Sequence, residues 1–140
     1  MSKELGGFFG WLIVISYGLT LLNYGVKFIN RKYGKALGKY PWFKKYFPGL
    51  MKFIIQNHRY FGMATVVGIV GHFLIQYSRW GFVISGAVPA GLMLLQGFLG
   101  AYGTYVKKKK RGPWLVVHRT LAAVLFVAVV FHLLYVKINY

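Results

Sequence analysis

The chain has 140 residues, 57% of them hydrophobic, with 18 Lys and Arg, no cysteine and one acidic side chain, Glu4. That apolar content excludes a disordered chain, and a surface almost without carboxylates argues against a soluble domain. Without cysteine there is no disulfide, iron–sulfur cluster, thiol catalysis or covalent C-x-x-C-H haem attachment.

A helix that crosses a membrane needs about 20 mostly apolar residues. Four stretches meet that need, at roughly 8–28, 53–77, 80–106 and 114–136, within a single membrane domain of residues 1–140. The first has little basic lead-in and runs into Asn30-Arg31-Lys32 rather than a cleavage site, so it reads as a retained helix and not a secretory signal. The link that follows, residues 31–50, interleaves Trp42, Phe43, Tyr46 and Phe47 with lysines. Pro41, Pro48 and Gly49 are expected to break it, which predicts a segment lying among lipid headgroups rather than a docking site for an anionic partner. Gly18 and Gly25 on the first span, and Gly86, Gly91, Gly97, Gly100 and Gly103 on the third, predict close approach to the backbone. Pro89 predicts a kink in the third span.

Basic residues set the orientation. Nine lie between Lys27 and Arg59 and six between Lys107 and Arg119, whereas the opposite side holds only Lys3, Arg79 and Lys137. The positive-inside rule places both basic links in the cytoplasm and both termini outside, as in a multi-pass protein of a prokaryotic cytoplasmic membrane. The run Lys107 to Arg111 is thereby a topology signal rather than a nucleic-acid patch.

The four histidines, His58, His72, His118 and His132, all lie in spans two and four, and the spacing is 14 in each. Fourteen helical steps end about 40° short of four full turns and rise about 21 Å, so both imidazoles of a span share a side, one toward each membrane face. In an up-down-up-down order spans two and four run in the same direction. His58 then stands level with His118 on the cytoplasmic side, and His72 with His132 on the outer side. Facing neutral imidazoles suit the two axial positions of a haem iron, and a flat apolar macrocycle fills the middle of a bundle. A buried histidine can also serve simply as an interhelical hydrogen-bond partner, but four in two matched spacings favour ligation. A zinc site fits worse, because the pairs are too far apart to close one four-ligand shell.

This pattern, His-x13-His on each of two co-directional helices, resembles the bis-haem b-type cytochromes. The likeness is to the haem-bearing core of cytochrome b, and more loosely to b561 and ferric-reductase-like cytochromes. It implies an all-α transmembrane four-helix bundle with two non-covalent haem b groups, one on His58 and His118 and one on His72 and His132. At four helices the chain is shorter than those relatives. An internal repeat supports two similar hairpins: His58-Arg59 and His72 correspond to His118-Arg119 and His132, and Gly18 to Asn23 echoes Gly91 to Gln96. Arg59 and Arg119 follow ligands directly and are candidates to pair with haem propionates or to snorkel to headgroups. Arg79 is a third, less supported. Trp11, Tyr77, Trp80, Trp114 and Tyr135 read as an interfacial aromatic belt.

The expected function is electron transfer across the membrane between a cytoplasmic-side and an outer haem, rather than stand-alone catalysis. The alternative is a quinone-reactive cytochrome b, perhaps a subunit of a larger oxidoreductase; its proton transfer would have to proceed with no carboxylate inside the spans. The expected partners are the lipid bilayer and redox proteins or quinone, without nucleic acid; a homodimer stays open.

Overall fold

The computed structural model describes residues 3–139. Four helices follow in order: α1 (Lys3–Leu37), α2 (Pro41–Trp80), α3 (Ile84–Ala101) and α4 (Pro113–Asn139). A π-helical turn, Tyr102–Val106, prolongs α3. All four are long and apolar enough to cross a membrane. The expected class is therefore the observed one, an all-α protein of four membrane-length helices.

The link at 31–50 departs from expectation. Only residues 38–40 lie outside helix, since α1 continues to Leu37 and α2 begins at Pro41. Proline is well suited to a first helical position, where its missing N–H has no intrahelical role. Pro48, by contrast, lies inside α2, where it removes one backbone hydrogen bond. Helix persists there with local support: Phe43 is buried and its ring stacks on that of Phe47 at 4.3 Å. At the other end of α2, Gly81 takes φ of +72° and ends the helix with its N–H on the Tyr77 carbonyl, a conformation glycine adopts without steric cost.

The described chain divides into two units. In Leu12–Thr65, Ile13, Tyr17, Val26 and Ile54 are buried, and Thr65 donates a hydrogen bond to the Ser16 hydroxyl at 2.9 Å. Thr65 itself is fully buried, so this bond joins α1 to α2 where water is absent. The other unit joins residues 3–11 to 66–139. There the first turns of α1 meet the last turns of α2, with the Phe9 ring against Gly71, and α3 lies along α4, with Met93 and Leu125 buried. Large apolar side chains such as Phe8, Trp11 and Phe98 stay exposed, far beyond what a water-soluble surface carries, and lipid is the solvent that suits them.

The α3–α4 turn is unusual. Lys109 donates its N–H to the Gly103 carbonyl six positions earlier, one residue wider than the closure of a Schellman cap. Two consecutive residues of this turn, Lys108 at φ of 47° and Lys109 at 62°, take left-handed backbone. The Trp114 ring occupies the space where a Gly103 side chain would begin, and its indole N–H donates to the Lys110 carbonyl. Trp114, expected in an aromatic belt, is therefore a clamp on this turn. Replacing Lys108 by glycine should remove the steric cost of the left-handed conformation and raise stability by up to about 1 kcal/mol, read as a higher midpoint in thermal unfolding of the bilayer-reconstituted chain.

Candidate functional site: four intramembrane histidines

His58 and His72 lie on α2, and His118 and His132 on α4; all four are half-buried. No ring is left open to lipid over its whole surface. An imidazole in hydrocarbon needs a hydrogen-bonding partner, and each ring meets one on the helix that precedes its own.

On α2, the His72 Nδ1 lies 3.1 Å from the carbonyl of Gly6 on α1. A carbonyl only accepts, so His72 is the donor; the neutral ring then carries its proton on Nδ1 and a lone pair on Nε2. Gly10, one turn further along α1, lets the ring approach: a Cβ there would be 3.6 Å from the His72 Cε1. His58, in the other unit, hydrogen-bonds the backbone of Thr20 on α1.

On α4, the His132 Nδ1 is 3.2 Å from the Ser85 hydroxyl on α3. Gly86 clears the ring so closely that a Cβ there would be 3.1 Å from Cε1. His118 stands differently. Its Nε2, not its Nδ1, faces a side chain, the Gln96 amide nitrogen at 3.3 Å, which also donates to the His118 carbonyl at 2.9 Å. Gly100 and the Trp114 ring flank it. His72 and His132 are within electrostatic reach of one another. Among the described residues no three His, Cys, Asp or Glu side chains converge.

Neighbouring groups that hold Nδ1 are what a metal-ligating histidine characteristically has, because they fix the tautomer and aim Nε2. The sequence did not single out the Gly6 carbonyl and Ser85, which hold Nδ1, or Gly10 and Gln96, which meet the rings elsewhere. One signal was there: Gly86 and Gly100 are separated by the same 14 residues as His118 and His132, so antiparallel helices set each glycine opposite a ring. Close approach at these two positions is thus to imidazole. At Gly18, Gly25 and Gly91 a Cβ would meet no atom within 4 Å.

The arginines take other positions. Arg59 lies over the Tyr60 ring at 5.1 Å, with its guanidinium 3.3 Å from the Tyr60 hydroxyl. Arg119 is exposed, and Arg79 hydrogen-bonds Gln76. Beside Ser85, a cleft of about 310 Å³ opens between α3 and α4, walled by Pro89, Ala128, Phe131 and Tyr135. Compared with known protein families, characterised proteins and solved structures, the chain matches none.

The glycine clearances make a sharp expectation. Gly86→Val should push the His132 ring off Ser85, visible as a changed ¹⁵N shift of the His132 imidazole, whereas Gly91→Ala should leave all four imidazole signals in place.

Proposed function

We propose that the chain is a di-haem b-type cytochrome that carries electrons across a membrane. The observation that carries this reading is the set of four half-buried imidazoles, paired at equal spacing on α2 and α4 and each held by the helix before it. Had the rings been turned out to acyl chains, the reading would have no basis. The donor set fits a haem: neutral imidazoles, an apolar surround, and in His72 a tautomer with its Nε2 lone pair available.

In this reading His72 and His132 hold the outer haem, and the sequence spacing assigns His58 and His118 to the one on the side of the basic links. Bound haem supplies reversible one-electron chemistry. The chain supplies the rest. The Gly6 carbonyl and Ser85 orient the rings, glycines admit them, and the lipid-facing apolar shell keeps water from the site. Low solvent access limits the reorganisation that accompanies each change of charge. The basic links face the cytoplasm by the positive-inside rule and attract an acidic or phosphate-bearing redox partner. Arg59 and Arg119, each next in sequence to a ligand, are candidates to pair with propionates, once Arg59 leaves Tyr60.

One observation favours a second reading, a quinone-reactive cytochrome. The cleft between α3 and α4 is apolar except for hydroxyls, and its Ser85 is the same hydroxyl that meets His132. A quinone carbonyl hydrogen-bonded to Ser85 would sit one side chain away from an outer ligand. Vesicles separate the two readings: the conduit passes electrons from one face to the other without added quinone, whereas strict dependence on quinone selects the second.

Pyridine-haemochrome analysis should find about two b-type haems per chain, and a colourless preparation would refute both readings. His58→Ala and His118→Ala should each remove the same haem and leave the other spectrum intact. Loss of different haems would mean that α2 and α4 do not pair as proposed.

A further inference from the structure

The two α4 histidines are held by opposite edges of their rings. His132 engages Ser85 through Nδ1, and its Nε2 is turned away from that contact. His118 instead presents Nε2 to the Gln96 amide. Which end of that amide is nitrogen is fixed by its second contact, since the 2.9 Å approach to the His118 carbonyl requires a donor. The same N–H₂ group therefore holds the backbone and the lone pair of the ring. The other end of the amide gains nothing, because the buried Gln96 Oε1 has no hydrogen-bond partner. A buried amide satisfied at one end only is a poor structural fixture. It is better suited to a group that has a second resting position.

We infer that Gln96 is a latch on His118, so that the outer pair takes up haem before the pair containing His118. This rests on the haem reading above. Ligation through the His118 Nε2 requires the amide to withdraw, and the hydrogen bonds lost in doing so weaken that site relative to the outer one by roughly tenfold. At the outer pair no such withdrawal is needed, because the His72 Nε2 already carries its lone pair and the Nδ1 edge is the one engaged. Gln96 is a positioning residue in this scheme, acting on the ligand and never on the iron.

The experiment is a haem titration of the full chain, prepared haem-free in nanodiscs and followed by Soret absorbance. Wild type should bind in two phases about tenfold apart. His118→Ala should keep only the tight phase and His132→Ala only the weak one. Gln96→Leu and Gln96→Met, two apolar variants in case one folds poorly, should strengthen the weak phase about tenfold and leave the tight phase unchanged. A residue that merely supports the fold would do the reverse, since its removal weakens binding. The inference is overturned by equal phases in wild type, by a tight phase that belongs to His118, or by weak-phase affinity that stays level or falls in both Gln96 variants. If no variant and no wild-type protein takes up haem, the haem reading itself fails and the latch falls with it.

Discussion

An imidazole inside hydrocarbon cannot turn to water, and the rest of the arrangement follows from that. Each of the four rings is met by a polar group from the preceding helix: a carbonyl, a backbone group, a hydroxyl and an amide. To reach these partners the rings must come close to the neighbouring backbone, which excludes side chains at the point of contact. Glycines at 10, 86 and 100 meet that need. Glycine is costly within a helix, but a membrane helix has its backbone hydrogen bonds protected from water and tolerates the residue better than a soluble one. Polar ring, donor or acceptor, and glycine therefore form one unit, used on both hairpins.

The two hairpins use that unit without keeping strict register. His72 meets Gly6 and Gly10, whereas His132 meets Ser85 and Gly86. The partners thus lie at different steps along α1 and α3. What the halves share is the side on which the ring is held, rather than the atom that holds it. The difference at His118, held through Nε2, makes the sites unequal in chemistry although their spacing is equal.

Much of this was legible in the sequence because hydrocarbon imposes simple demands. Length and apolarity marked all four helices, and the 14-residue histidine spacings needed only helical geometry. The hydrogen-bonding partners were harder to see. A backbone carbonyl such as that of Gly6 carries no side-chain signature, and Ser85 and Gln96 look like ordinary small or polar residues of a membrane span. They become visible only when α3 and α4 are set side by side. Pro48 and Gly49 misled for another reason: both disfavour helix as single residues, but the Phe43–Phe47 stack and the buried Ile54 hold that stretch in α2. Packing of neighbours outweighed local propensity.

The unbroken course of α1 and α2 reaches beyond the site. At 35 and 40 residues they measure about 52 and 60 Å, against about 40–45 Å for a bilayer with its headgroups. Upright, they would overreach that thickness by roughly one to four turns, whereas a tilt of about 40° draws them in almost entirely, so the tilt decides how far Lys35, Lys39, Lys44 and Lys45 stand from the headgroups.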